Sequence, residues 1–416
     1  MAADSARTVI ANLVNDVMID TAPHGYARVM AAVTPRKLWQ ANPGDCVVLL
    51  APCDHGFRDY VERTLGLDLT QVDIVAPEQI RGVHALDVVA DLDAADRVAA
   101  RPTLAPFVVD AAVTAFAADR DLRVHPYQFG PSAATLAAIR DINTKSGFRR
   151  IASGLGLPIA DGGHARTPAA LTRLLERFLA DHRAAIVKVD RSSNGSGTVV
   201  IHADDPVPLD RRVHELAGEP PYRACGWVYE EFLPFDAAPS MEMLVEESGV
   251  SEFYTCDQRT VDNAWTGMTT PAAPRPPYDD LLLAARRIGD WLHDRGYRGI
   301  FDLDGGALAG AHVVTEANVR RTGGTYLHEL AQRLHGSASP VNWRADVRRG
   351  ATRMDFHSAA AAVARAGLAD PAAPARVVLP VDTLDVDGKW RYLVTGTDAS
   401  SVAAAERELI RILELC

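Results

Sequence analysis

Along the first 135 residues the chain alternates between short apolar runs and stretches with helical spacing. The runs at 46–51 (CVVLLA) and 72–75 (VDIV) have the length of buried strands, while 94–100 and 111–118 repeat apolar positions at the interval of a helix face. This alternation predicts a small open α/β domain with a largely parallel sheet. Asp54 and His55 follow the first run, where such sheets bind ligands; the plainer reading makes them solvated turn residues.

The pattern changes near Thr144. Residues 145–156 predict a helix closed by Gly156. Thr167 as N-cap and Pro168 in the first turn open another, with Leu171, Leu174, Leu175, Phe178 and Leu179 on one face. Strands follow at 185–189 (AIVKV) and 198–202, joined by the loop DRSSNGSG, then a helix around 210–217 and strands at 227–233 and 241–246. An amphipathic helix at 281–294 precedes strands at 299–303 and 312–317. From 355 the order is helix, strand (377–384), an Asp-Val-Asp-Gly turn, strand (390–394) and helix (402–415), which predicts a separate compact module. The expected class is α/β with an α+β centre. Residues 1–140 form an N-terminal α/β domain, 141–345 a central domain with subdomains meeting near 230, and 346–416 a small C-terminal α/β module.

Composition narrows the function. The 416 residues are 48% hydrophobic and 23% charged, which excludes disorder, collagen and coiled coil. No window nears eighteen uninterrupted apolar residues, and charge interrupts the N-terminus where a signal peptide needs an apolar segment, so a cytoplasmic protein is expected. A net charge of -11 disfavours nucleic acid and anionic membrane as partners. The expected ligand is small, or is a neutral or cationic peptide. The five cysteines are scattered without a C-x-x-C pair, as free thiols in a reducing compartment would be. Only Lys37, Lys145, Lys188 and Lys389 are lysines among 43 basic residues, so each invites the question of why a compact ammonium is needed.

Asp302, Glu316 and Asn318 fall near the ends of two consecutive strands. Glu316 and Asn318 are two apart and share a face, and Asp302 can meet them across an antiparallel ladder. Two carboxylates and an amide oxygen there suit Mg²⁺ that takes its other ligands from water and phosphates; the alternative is solvent-facing strand acids. Arg320, Arg321 and the pair Gly323, Gly324 follow directly, supplying cations and flexible backbone for a transferring phosphoryl group. Alternation puts Arg320 on the ligand face and Arg321 opposite. Lys188 precedes the small-residue loop Ser192, Ser193, Asn194, Gly195, Ser196, Gly197, whose N–H groups can lie over phosphate oxygens, although such a loop is first of all a hairpin turn. In YEEFL (229–233) alternation sends one glutamate inward, where it needs a donor such as a nucleotide base; the alternative is an edge-strand acid pair in water.

The ordered segments NTKSGFRRIASGLGLP, IVKVD with its loop, YEEFL, GIFDLD and TEANVRRTGG together resemble the ATP-grasp ligase superfamily, over about 143–330. The resemblance implies a fold of two subdomains that hold ATP and Mg²⁺, with two ions. Lys145 and Lys188 would contact the α and β phosphates, and the loop from Ser192 to Gly197 would close over the β and γ phosphates. Glu230, Glu231, Phe232 and Leu233 would line the adenine pocket, and Asp302, Glu316 and Asn318 would hold the metal, with Asp304 an alternative to Asp302. Arg320 would face the γ-phosphate or acyl phosphate, Gly323 and Gly324 would offer N–H groups to substrate oxygens, and Arg259 with the loop 257–277 would contact the donor. His328 borders the acceptor or is structural. The N-terminal pre-ATP-grasp domain, the segment FLPFDAAPSME and the C-terminal module look like those of pheganomycin-type peptide ligases, enzymes of natural-product biosynthesis. That likeness implies a ligase joining an unusual amino acid, the small carboxylate substrate, to a peptide's N-terminal amine through an acyl phosphate, releasing ADP and phosphate. Free amino-acid (dipeptide) ligation, a non-peptide amine acceptor, or an ATP-binding regulatory or scaffold protein without turnover are the alternatives, and a homo-oligomer stays open.

Overall fold

The computed structural model describes residues 6–18, 24–128, 130–192, 195, 197–218, 226–261, 264–274, 278–308, 310–336 and 341–416. Three sheets organise these residues. The first contains β1 (Thr8–Ile10), β2 (Cys46–Val48), β3 (Asp73–Val75), β4 (Thr103–Pro106) and β5 (Arg123–Val124), in the order β3-β2-β1-β4-β5. Every pair in it is parallel. Helices cover both faces, so β1 and β2 are buried throughout and read as continuous apolar runs. With only three and two residues, β1 and β5 were too short for any periodicity to show.

The second sheet is antiparallel, with β6 (Gly162–Ala165), β7 (Ala184–Val189), β8 (Thr198–His202) and β9 (Trp227–Glu231) in the order β6-β9-β7-β8. The helix Pro168–Asp181 packs Leu171 and Leu175 against it, and Thr167 caps that helix by accepting the Ala170 N–H.

The third sheet holds eight strands: β10 (Pro239–Glu246), β11 (Gly249–Val261), β12 (Ala264–Thr270), β13 (Gly299–Leu308), β14 (Ala311–Asn318), β15 (Asn342–Arg348), β16 (Ala375–Val378) and β17 (Trp390–Gly396). Their order is β14-β13-β10-β11-β12-β15-β17-β16. The C-terminal segment therefore has no sheet of its own. Tyr392 and Leu393 on β17 pair with Asp346 and Ala345 on β15, so β17 and β16 extend the central sheet where the sequence suggested a separate module. Much of 257–277, expected as a loop, is the β11–β12 hairpin, whose polar sequence hid it. Among the described residues no helix is long and apolar enough to cross a membrane. Four of the five cysteines are free, and Cys225 lies outside the described residues.

Candidate functional site

The four-stranded and eight-stranded sheets face each other across a cavity of about 670 Å³. One wall carries Lys145, Lys188 and Phe232, and the other carries Asp302, Glu316 and Asn318. The β13–β14 ladder explains the second wall. Asp302 pairs with Asn318 and Asp304 with Glu316, so all four side chains share one face before the register shifts past Asp304. Asp302 accepts the Asn318 N–H at 3.0 Å, and Asp304 accepts from Gln258 Nε2 at 2.5 Å and from Asn318 Nδ2 at 3.5 Å. Both aspartates thus line the cavity.

Burial pushes the Asp302 carboxyl well above its ordinary range, and the charge of Glu242 adds to the effect. Desolvation and the charges of Asp302 and Glu316 do the same at Asp304. A cation would relieve this repulsion. No three acid, imidazole or thiol groups among the described residues form a closed metal cluster. Mg²⁺ does not require one, because it binds through one or two carboxylates and completes its shell with water and phosphate oxygens. The donor set fits that ion.

Lys145 begins the helix Lys145–Gly154, which Thr144 caps by accepting the Gly147 N–H. Its buried ammonium donates to the Ser192 carbonyl at 3.1 Å and lies 3.4 Å from Glu316 Oε1, so it joins loop and acid wall. Lys188 on β7 meets Glu230 Oε2 at 2.6 Å, and Arg149 holds the other oxygen of that carboxylate at 2.5 Å. In the loop between β7 and β8, Gly195 and Gly197 have φ of +74° and +69°, a region that favours glycine. Ser193, Asn194 and Ser196 lie outside the described residues. We expect Lys188→Arg to lower kcat/KM by about tenfold or more, close to the loss for Lys188→Ala, because a planar guanidinium cannot occupy the place of a compact ammonium between Glu230 and the cavity. Steady-state kinetics with varied ATP check this, and an Arg variant of normal rate would contradict it.

Several expected contacts differ. Glu230 and Glu231 do not line the cavity, although Phe232 and Leu233 do. Glu230 is consumed by its two cations, and the Glu231 N–H donates to the Asp161 carbonyl at 2.8 Å. The Gly324 N–H is not open to substrate, since it donates to Thr322 Oγ1 at 3.1 Å. Glycine is needed there for packing, because a Cβ would fall 2.0 Å from the Tyr254 hydroxyl. Gly323 does reach the cavity wall. Arg259 is turned away by strand alternation: Gln258 and Thr260 face the cavity, while its guanidinium pairs with Glu406 at 2.5 Å and Asp346 at 3.3 Å. His328 does not line this cavity. It stacks on Tyr254 with ring centroids 4.7 Å apart, accepts the Trp343 indole N–H at 3.1 Å, and is pushed down to about 4 by burial. Asp54 caps the helix His55–Leu65 by accepting the Phe57 N–H, as a turn residue would.

The chain leaves the strand after Asn318, where the Arg320 N–H donates to the Asn318 carbonyl at 3.0 Å. The Arg320 guanidinium nonetheless returns to Asn318 Oδ1 at 2.5 Å, and that of Arg321 turns to Glu329. Sequence reasoning missed Glu242. This buried acid on β10 accepts hydroxyl hydrogen bonds from Tyr254 at 2.7 Å, Thr322 at 2.8 Å and Thr325, and so ties the turn carrying Gly323 and Gly324 to the sheet. Its place directly opposite Asp302 in the ladder is a matter of tertiary pairing, and no local motif signals it.

Residues 34–122 match the family described as the pre ATP-grasp domain. A search of curated proteins finds no match. Among solved structures, the N5-carboxyaminoimidazole ribonucleotide synthetase of Thermus thermophilus is similar with a TM-score of 0.60 and 13% identity, over 98% of each chain. The ADP complex of the corresponding Staphylococcus aureus synthetase gives 0.59 and 11%, over 100% of this chain and 98% of that one. The biotin carboxylase of Campylobacter jejuni, in complex with an ATP species, gives 0.62 and 13%, over 99% of this chain and 92% of the other. At these identities the likeness establishes the fold alone: a parallel-sheet pre-ATP-grasp domain followed by two antiparallel sheets in the ATP-grasp arrangement.

Proposed function

We propose that the chain is an ATP-dependent carboxylate–amine ligase, forming ADP, phosphate and an amide, and that it joins an unusual amino acid to the N-terminal amine of a peptide. The observation carrying this reading is that one cavity gathers Lys145, Lys188, Arg320 and the Asp302, Asp304, Glu316 and Asn318 face from distant parts of the chain. Neighbours of the same fold named as complexes with ADP or an ATP species support a nucleotide there. The peptide acceptor rests on the likeness to pheganomycin-type ligases.

In this mechanism Lys145 and Lys188 would hold the phosphates, and Asp302, Asp304, Glu316 and Asn318 would hold Mg²⁺, with oxygens enough for two ions. Mg²⁺ bound there would supply neutralisation of charge on the transferring phosphoryl group. A donor carboxylate oxygen attacks the γ-phosphorus, the bond to the β-bridging oxygen breaks, and ADP leaves. Arg320 stabilises the acyl phosphate. The acceptor amine then attacks the acyl carbon, loses a proton and expels phosphate. Positioning and charge neutralisation supply the rate, so no Ser, Cys or His nucleophile is needed.

ATP, Mg²⁺ and a panel of carboxylates with hydroxylamine should give a hydroxamate from at least one acid. Absence of hydroxamate with every acid would favour a nucleotide-binding protein without turnover, and the amines accepted separate peptide from free amino-acid ligation. The nucleotide product should be ADP, because the cationic and acidic groups share one cavity, as transfer of a γ-phosphate would require. Chromatography showing AMP and pyrophosphate would overturn the mechanism.

A further inference from the structure

A second cavity, of about 400 Å³, lies between the end of β4 and the eight-stranded sheet, within the volume range of about 300–1,000 Å³ typical of small-molecule sites. Its charge is lopsided. Arg7, Lys37, Arg298, Arg320, Arg321 and Arg333 line it against the single acid Glu329. That acid is already engaged, by the Arg321 guanidinium and by Gln40 Nε2 at 2.5 Å.

Lys37 is one of two lysines, with Lys389, that the nucleotide site does not use, and the one that is buried in a cavity. It is only 1% exposed, yet its ammonium donates to Gln40 Oε1 at 2.9 Å and otherwise sits 4.7 Å from the centre of the Phe107 ring. No carboxylate among the described residues forms an ion pair with it. Arg333, partly buried, also has no ion pair among the described residues; there it donates to the carbonyls of Trp39 and Ala41 and to Asn42 Oδ1. Burial, and then the charge of Arg321, drives the Lys37 ammonium well below its ordinary range. Glu329 acts on it only at a distance, through Gln40, and is itself held by Arg321. A buried cation without a direct ion pair is costly, and an anionic ligand reduces that cost.

Arg320 joins the two cavities, lining both, and its buried Nε has no partner among the described residues. Lys37 lines this cavity and not the one that carries the acid face, and Arg320 lines both, so a carboxylate held at Lys37 would be separate from the one that attacks phosphorus. We propose that this cavity binds the unreactive carboxylate of the amine acceptor, an amino acid or short peptide, with Lys37 as its counter-ion and the amine directed past Arg320. The acceptor role rests on the ligase reading above. The cationic walls also favour the neutral, nucleophilic form of the amine.

The test uses the full chain without nucleotide. Proteinogenic amino acids and glycyl dipeptides, each as free acid and as amide, are screened at millimolar concentration by thermal melting. At least one free acid should raise Tm by about 1–3 °C while its amide does not. Lys37→Met should abolish that rise but keep the rise produced by Mg–ATP; Lys37→Gln replaces it if the Met variant loses the Mg–ATP response. The stabilising acid should itself give no hydroxamate with ATP and hydroxylamine. The proposal is overturned if no acid raises Tm, if acid and amide act alike, if the rise survives loss of Lys37, or if that acid becomes the hydroxamate. Failure of the ligase reading looks different: no acid yields hydroxamate or ADP, while the Lys37-dependent shift persists.

Discussion

Glu316→Ala and Asn318→Ala should each lower kcat by a factor on the order of 10³ or more while leaving the fold intact. Both residues are half-buried and face the cavity, so truncation removes ligand contacts and leaves no void in the core. Each also holds a neighbour in place. Glu316 lies 3.4 Å from the Lys145 ammonium, and Asn318 accepts from Arg320 through Oδ1 and donates to Asp304 through Nδ2. Losing either therefore disturbs one phosphate-binding cation as well as the metal face. Near-normal turnover at saturating Mg²⁺, with an unchanged Tm, would take these residues out of the metal site. Asp302→Asn and Asp304→Asn sort the remaining pair: the stronger rise in the Mg²⁺ requirement marks the acid that binds the ion more directly.

Arg320→Ala should lower kcat by a factor on the order of 10²–10³, as loss of one preorganised donor to developing charge typically does, whereas Arg321→Ala should cost under about tenfold in the same step. The two arginines are adjacent but serve different partners. Arg320 lies against Asn318 at the edge of the acid face, and Arg321 pairs with Glu329 beside Lys37. Single-turnover measurement of hydroxamate formation isolates phosphoryl transfer and so separates them. Equal small losses would make both surface cations, and a larger loss at Arg321 would show that the backbone turn after Asn318 had exchanged their roles.

Much of this molecule was legible in its sequence, because the informative signals were local. Leu171, Leu174, Leu175, Phe178 and Leu179 repeat at the helical interval between a Thr cap and the next strand, and that suffices to set the helix Pro168–Asp181. Glu316 and Asn318 share a face because they are two apart on a strand, whatever the strand packs against. Scarcity marked Lys145 and Lys188 as unusual without any structure. The family resemblance rested on such segments in order.

Only the tertiary structure decided which of these groups meet. Glu242 comes to lie opposite Asp302, behind the cavity wall, because β10 lies beside β13, a pairing between residues about sixty apart that no local pattern records. Arg259 leaves the cavity because its neighbours Gln258 and Thr260 take the inward face and Glu406, far along the chain, supplies a better partner. Glu230 was recognisable as an inward acid, but its capture by Lys188 and Arg149 depends on β9 pairing with β7 and on the helix packed nearby. Lys37 was conspicuous by composition alone. That it lies buried with no direct ion pair, in a cavity that Arg320 shares with the acid face, follows from how the N-terminal sheet seats against the central one, because burial and charge balance are properties of packing between distant segments.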